Sequence, residues 1–361
     1  MGLNTAGPSA PHGVRAGHPL LTAVISLTDH LIPYGKPYLS IPEQIAHLTA
    51  RGMVITDKDK AAACLKRIGF YRLSGYWHPF KKLAVDHVII DGVTKRVAAR
   101  QNEFVEGTEF SDVLRLYVFD KKLRMLALDA IERVEVGLRV DVALLLGQMG
   151  TWAHRDPSFL HPSFSRSGKH STWLNKLDES SEKSGEEFAV HFRRKYSSHL
   201  PIWMAIELWD FGQLSHFVAG MRYNDQKVIA QKYGLSGPEM LVSWVRSINH
   251  VRNISAHHAR LWNRALTNQP KLPQYGAMPL LDHIAIGRQL DNNLSPFRVY
   301  SVLSGIQLLL RIINPTTTWA TRLTQHVCGF PSLPGVSISQ AGFPHNWSAL
   351  DLWKGPSPTS L

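Results

Sequence analysis

The feature of this sequence that most constrains its fold is one long helical segment. Apolar residues recur at heptad-like spacing from Phe110 to Gly147, which is typical of a long helix. Residues 84–98 instead alternate apolar and polar side chains around Asp91-Gly92, the pattern of a β-hairpin. The sequence therefore predicts a mainly α fold with a small β-hairpin insertion.

Helix start and stop signals outline the remaining elements. Ser40 with Glu43 three residues later predicts a helix that runs to Ala50 and stops at Gly52. Residues 277–313 supply one or two more. The other predicted helices are Asp57 to Ile68, Glu186 to Tyr196, Pro201 to Met221, Asn224 to Tyr233, and one that starts near Gly237 and continues to about Arg264.

The same signals divide the chain into four parts. A flexible N-terminal extension (1–35) precedes a helical and aromatic region with the basic hairpin (36–109). A helical domain (110–313) follows. The tail (314–361) is rich in Gly, Pro and Ser but contains Trp319, Trp347 and Trp353, which predict that it packs back on the body.

The charge of the chain narrows the class of partner. Its 361 residues include 40 Lys and Arg against 28 Asp and Glu, a formal charge of +12, which favours a polyanion such as nucleic acid. Cys64 and Cys328 form neither a metal-site spacing nor a disulfide framework, which fits the cytoplasm. We expect no metal, no cofactor and no membrane span, because no run has zinc-site spacing or the length of a bilayer.

A compact group of polar residues marks the candidate catalytic site. Arg252, Asn253 and His257 lie in the run from Trp244 to Arg264. Histidine moves protons near neutral pH. Arginine holds a phosphate and stabilises the charge that develops on it. These residue types at this spacing indicate phosphodiester chemistry.

Helical geometry predicts that this group belongs to one polar stripe. Asn253 and His257 are i,i+4 neighbours, so the amide can orient the imidazole. Arg252 lies at the edge of the stripe, and His258 points toward the apolar side, where a structural role is expected. A polar stripe is usually a solvated face, but such a face mixes both signs of charge and this one has no carboxylate. The stripe consists of Arg246, Asn249, His250, Asn253, His257, Arg260 and Arg264.

Aromatic and basic residues are interleaved nearer the N-terminus, from Gly69 to Phe80 and in the hairpin. Basic side chains there would hold phosphates and the aromatic rings would stack on unpaired bases, unless the rings belong to the core. The predicted RNA contacts are Lys36, Lys66, Tyr71, Arg72, Tyr76, Trp77, Lys95, Arg96, Arg194, Arg246, Arg260 and Arg264.

Two acids on the long helix allow two interpretations. Glu135 and Arg139 form an i,i+4 pair, which favours a salt-bridged face. A pair of metal-binding carboxylates, Glu132 and Glu135, is the alternative.

Several sequence blocks, taken in order, resemble one known family. The blocks are Lys36-Pro-Tyr-Leu-Ser40, Ile68 to Trp77, Phe119 to Arg124, Ile131 to Glu135 with Leu138-Arg139, Leu200 to Ala205, Phe211 to Ser215, Val251 to His258 and Arg260 to Asn263. They resemble the AbiD/AbiF, or Abi-like, abortive-infection family of bacterial anti-phage proteins. The chain departs from it in the longer N-terminal extension and in the 84–98 hairpin.

The resemblance implies a HEPN-like helical bundle with extra helices and a metal-independent endoribonuclease. Its closing helix resembles the HEPN RNase signature of an arginine, four residues and a histidine, which Arg252 and His257 match. In such a site the RNA 2′-hydroxyl attacks its own phosphate, with His257 as acid or base and Arg252 on the phosphorane. HEPN sites resemble composite sites, and this chain has one clear motif, so a homodimer is expected.

Two other functions stay open on the sequence. The chain is alternatively an RNA-binding protein held inactive by, or acting with, a structured noncoding partner RNA, as some relatives are encoded beside one. A protein-interaction scaffold with a degenerate site is the third interpretation.

Overall fold

The computed structural model describes residues 34–90, 93–285 and 298–354, without the side chains of residues 86–97. Within these ranges the fold is mainly α with one antiparallel hairpin, which confirms the predicted fold class. Four predicted features lie wholly or largely outside them: the N-terminal extension, the Asp91-Gly92 turn, residues 286–297 of the last helical segment and the end of the tail.

The described elements are thirteen α-helices and one pair of strands, joined by loops and short 3₁₀ turns. The two strands are β1 (Lys81–Ile90) and β2 (Val93–Phe104), a longer hairpin than residues 84–98 indicated. The helices are α1 (Ile41–Ala50), α2 (Lys58–Ile68), α3 (Phe70–Trp77), α4 (Phe110–Met149), α5 (Pro162–Ser165), α6 (Lys169–Lys183), α7 (Glu187–Lys195), α8 (Ile202–Ala205), α9 (Phe211–Gly220), α10 (Tyr223–Lys232), α11 (Pro238–Ala256), α12 (Val299–Ile313) and α13 (Trp319–Cys328).

The N-terminal helices begin where their capping residues predict. At α1 the backbone N–H of Ser40 donates to Glu43 Oε2 at 2.6 Å, which closes a capping box. At α2 the Asp57 carboxylate accepts the N–H of Lys60 at 2.8 Å. Both predicted helix starts are confirmed.

Helix α4 is the central element of the bundle. Its 40 residues extend for about 60 Å. It packs against α3, α8, α9, α10, α11, α12 and α13. Its buried side chains therefore contact most of the other helices. Gly137 permits a close approach of α12, since a Cβ placed there would lie 3.1 Å from Ile313 of that helix. The predicted long helix is thus the axis on which the candidate site is assembled.

Two predicted helices are shorter than their sequence patterns indicated. The segment from Pro201 to Met221 is divided into α8, a 3₁₀ turn and α9, because Asp210 starts a new helix by accepting the N–H of Gln213 at 2.7 Å. The motif helix, α11, ends at Ala256 instead of continuing to Arg264. It ends there because His258 adopts a left-handed conformation with φ of 56°.

The early end of α11 corrects three placements. Arg260 and Arg264 do not lie on a helical stripe, since they follow the last turn. His258 is exposed and does not point toward the apolar side.

The tail residues that the structure describes lie against α12. Trp319, Trp347 and Trp353 are all buried, and the rings of Trp347 and Trp353 meet edge to face at 5.2 Å. Tyr300 of α12 contacts both of these rings. No helix in the described ranges is both long enough and apolar enough to cross a membrane.

Candidate functional site

Helix α11 presents its polar side because its apolar side is buried. Leu241, Val245 and Ile248 are each 1% exposed and face the interior, where α11 packs against α4 and α12. Arg246 remains exposed, and Arg252 and Asn253 at the last turn are half-buried. The burial pattern confirms the predicted division of this helix into two faces.

The three predicted catalytic residues lie together at the C-terminal end of α11. Arg252 Nη1 donates to Asn253 Oδ1 at 3.3 Å. The backbone N–H of His257 donates to the Asn253 carbonyl at 3.0 Å, which completes the last turn and keeps the two residues neighbours. The His257 side chain is exposed. An arginine, an amide and a histidine therefore share one open end of a helix.

The turn after His257 is held from behind by a buried carboxylate. Asp120 of α4 accepts the backbone N–H groups of Leu261 and Trp262, the latter at 2.8 Å, and the hydroxyl of Tyr76 at 2.7 Å. Arg124 pairs with the same carboxylate and donates to Tyr76 Oη at 2.9 Å. Asp120 is fully buried, and these four partners satisfy its oxygens. We call Tyr76, Asp120 and Arg124 the inner brace.

Helix α3 holds the same turn from a second side. The Arg72 guanidinium donates to the His258 carbonyl at 2.8 Å, and Arg260 donates to the carbonyl of Gly75. Burial and the nearby Asp120 raise the pKa of Tyr76, so its phenol stays protonated and donates. The position of His257 is consequently fixed by backbone contacts to α3 and α4, while its imidazole has no hydrogen-bond partner among the described residues.

An acid from α4 stands close to Arg252. Glu135 accepts a hydrogen bond from Arg139 at 2.6 Å, which confirms the predicted salt bridge, and Arg139 also donates to the Trp209 carbonyl. Burial raises the pKa of Glu135, and the charges of Arg139 and Arg252 oppose that shift. The stripe on α11 lacks a carboxylate, as predicted, but the fold brings one to Arg252 from another helix.

The described residues give no support to the metal alternative. Glu135 is engaged by Arg139. Among the residues described, no three His, Cys, Asp or Glu are grouped so that they could hold a metal ion.

The predicted RNA-contact residues fall into four groups, the last of which consists of two aromatic residues. Arg72 and Arg260 donate to backbone carbonyls beside the motif. Arg264 lies near His250, where burial and then the charge of Arg264 lower the pKa of the imidazole. The basic residues Lys36, Lys66, Arg194 and Arg246 are exposed and have no ion-pair partner in the described ranges, and the ring of Tyr71 is 91% exposed. The side chains of Lys95 and Arg96 lie outside the described residues.

For two aromatic residues the core-packing alternative holds. Tyr76 and Trp77 are each 2% exposed. Tyr76 belongs to the inner brace, and Trp77 packs edge to face on Phe70 at 4.8 Å. Neither ring has a free face on which a base could stack, so the prediction that they contact RNA is wrong.

Sequence reasoning missed Asp120 and Glu135 as parts of this site. A signal for Asp120 exists: Asp120 and Arg124 are an i,i+4 pair on the apolar side of a long helix, where charges are rare unless paired. The spacing of Glu135 and Arg139 predicts a salt-bridged face, but nothing in the sequence places Glu135 beside Arg252, which is more than a hundred residues away.

Comparison with known proteins gives one match. A family model described as Abi-like protein matches residues 63–263, which include the inner brace, the whole of α4 and the motif through Trp262. No curated protein and no solved structure matches the chain. Because the matched segment is more than half of the chain, the protein belongs to the Abi-like family and is a bacterial abortive-infection protein.

Proposed function

We propose that this protein is a metal-independent endoribonuclease that acts in abortive infection. The observation that carries the proposal is the arrangement at the end of α11, where an exposed His257 follows one turn after Arg252 and Asn253 on a braced backbone. These side chains match the requirements of RNA cleavage by the 2′-hydroxyl: a proton-transfer group, and a cation for the phosphorane.

The proposed reaction needs no external nucleophile. A base removes the 2′-hydroxyl proton, the 2′-oxygen forms a bond to phosphorus, and the bond to the 5′-oxygen breaks as that oxygen receives a proton. The products are a 2′,3′-cyclic phosphate and a 5′-hydroxyl. His257 carries out one of the two proton transfers, Arg252 stabilises the pentacoordinate phosphorane, and Asn253 orients Arg252 through its 3.3 Å hydrogen bond.

The second proton transfer requires a second group, which a homodimer would supply. The face of α4 next to Glu135 supports such a contact, since Val136, Val140 and Leu144 are 51%, 49% and 62% exposed at successive i,i+4 positions. Trp203, 53% exposed, extends this stripe past Gly147. We define the α4 stripe as these four residues. Contiguous exposed apolar side chains of this kind mark interaction sites.

Alanine variants of the motif test the proposal. We expect His257→Ala to lower the rate of RNA cleavage by at least about a hundredfold and Arg252→Ala by about a hundredfold to a thousandfold. His191→Ala and Arg67→Ala are matched controls, since both residues are exposed on other helices. Full activity of either motif variant would contradict the assignment.

The same assay separates the alternative function. A wild-type protein that cleaves no RNA, but purifies with one discrete RNA and releases it at high salt, would favour a binding protein that acts with a structured partner RNA. The exposed Tyr71 and Lys66 are the described residues that such a partner would contact first.

A further inference from the structure

A groove leads away from the motif along the polar side of α11. Helices α5, α6 and α9, with Arg246 of α11, line an open cavity of about 940 Å³. Its near end is at Gly212 and Asp210, where a Cβ placed on Gly212 would lie 4.0 Å from Asn249 Nδ2. Asn249 is one helical turn from Asn253, so this end of the groove lies next to the helix that carries the motif.

Three of the side chains that line this groove are cations without an ion pair in the described ranges. Lys169, Lys176 and Arg246 have no ion-pair partner within the described ranges, and His216 lies among them. The groove's two acids are already engaged, since Glu179 pairs with Lys183 at 3.6 Å and Asp210 caps α9. The charged groups of the groove that are left without a partner in the described ranges are therefore cations, which suits a row of phosphates.

A second cavity continues the groove beyond Arg246. It has a volume of about 530 Å³, and Arg246 lines both. Its other lining residues include the 54%-exposed Tyr223 and the amides Asn268 and Gln269. An unpaired base can stack on an aromatic ring and form hydrogen bonds with side-chain amides through its edge.

We infer that this continuous groove binds single-stranded RNA on one side of the scissile phosphate. Lys169, Lys176 and Arg246 hold the sugar–phosphate backbone, and the cavity at Tyr223 receives a base. Phosphate contacts of this kind fix register, while base contacts give sequence preference. The inference rests on the proposed function, because it takes the motif as the cleavage point.

The test measures RNA affinity in a protein that cannot cleave. In the His257→Ala background, the double charge reversal Lys169→Glu with Lys176→Glu is compared with Lys58→Glu with Lys227→Glu, two exposed lysines outside the groove and without ion pairs in the described ranges. The probe is a labelled single-stranded oligouridine, titrated at several salt concentrations. We expect the groove variant to bind at least about tenfold more weakly. Its salt slope should fall by about 1.4, because each phosphate that a lysine neutralises on a single strand adds about 0.7 to that slope.

A third variant tests the base cavity. Tyr223→Ala should weaken binding about tenfold at unchanged salt slope, as the loss of one stacked base would. Tyr275→Ala, a 70%-exposed tyrosine outside both cavities, is its control.

The outcomes separate this inference from the proposed function. If the groove variant and the control variant change RNA affinity equally, or if neither changes it, the inference that the groove binds RNA is wrong. A groove-dependent affinity in a protein whose wild type cleaves no RNA would keep the groove and reject the nuclease. Preference for a duplex probe would also contradict the inference, because a strand in the cavity at Tyr223 must present an unpaired base.

Discussion

The two sides of the turn that carries His257 are built in opposite ways. Behind the turn, Asp120 is fully buried and accepts four hydrogen bonds, two of them from the turn's own backbone. In front of it, His257 is exposed and its imidazole has no hydrogen-bond partner in the described part of the chain. The polar groups of the inner side hold the backbone, which leaves the outer side chains available for a ligand.

This contrast predicts where substitutions act. Changes in the inner brace should lower the free energy of unfolding, while changes on the outer side should lower activity and leave stability intact. The three groove cations, Lys169, Lys176 and Arg246, and the α4 stripe belong to the outer side by this criterion, since these side chains are exposed.

The largest effect should come from Asp120→Asn. It leaves the Arg124 guanidinium buried without a counter-ion and sets an amide N–H₂ against donors. Removing one partner of a buried ion pair costs about 3–5 kcal/mol. Denaturant unfolding measures this loss in the free energy of unfolding. Asp59→Asn, an exposed acid on α2, is the control and should change stability by less than about 0.5 kcal/mol. Equal stability of the two variants would show that the inner brace does not hold the turn.

Acid should lower the free energy of unfolding through His154, which is buried, whereas His257 is exposed. Burial lowers the pKa of His154 to about 3, from an ordinary value of 6.5. The unfolded chain therefore binds more protons between these values, and the stability that His154 contributes is present above about pH 6.5 and lost as the pH falls toward 3. His154→Leu should flatten this part of the stability–pH curve, and His216→Leu, an exposed histidine, should not.

The α4 stripe should control activity through association. Leu144→Glu places a charge in the centre of the proposed self-contact, so the variant should sediment as a monomer and cleave RNA at least about tenfold more slowly at an unchanged circular dichroism spectrum. Val228→Glu makes the same change at a 53%-exposed position on α10. A monomeric variant with full activity would mean that each chain works alone.

The smallest effect should come from Arg72→Ala. Its guanidinium holds the His258 carbonyl from an exposed position, so the loss of stability should stay near 1 kcal/mol. As a positioning residue it should lower the cleavage rate severalfold while RNA affinity stays the same. A fall in affinity at unchanged rate would instead return Arg72 to the role of phosphate contact that the sequence predicted. Arg67→Ala is the neighbouring control.

The sequence predicts local structure here better than it predicts contacts between distant segments. The capping residues Ser40 and Asp57, the periodicity of α4 and the polar face of α11 are local signals, and the structure follows them. The end of α11 was missed because a left-handed histidine leaves little trace in a pattern of polar residues.

The arrangement around the motif depends on contacts between residues that are far apart in the sequence, and no periodic pattern predicts such contacts. Asp120 binds N–H groups at Leu261 and Trp262, and Glu135 approaches Arg252, only because α11 packs along α4. Tyr76 shows the same limit in reverse. Its place in an aromatic and basic run predicted a contact with an RNA base, but in the folded chain its ring is buried in the core.

The most direct test of the central claim is the chemistry of the cut. The wild-type protein is given an RNA in excess EDTA, beside the same RNA with one 2′-deoxy sugar at the scissile position, and the product ends are identified by mass spectrometry. We predict cleavage in EDTA to a 2′,3′-cyclic phosphate and a 5′-hydroxyl, and no cut at the deoxy sugar. Cleavage that stops in EDTA and returns with magnesium or manganese, or that cuts the deoxy position, would contradict the proposed mechanism.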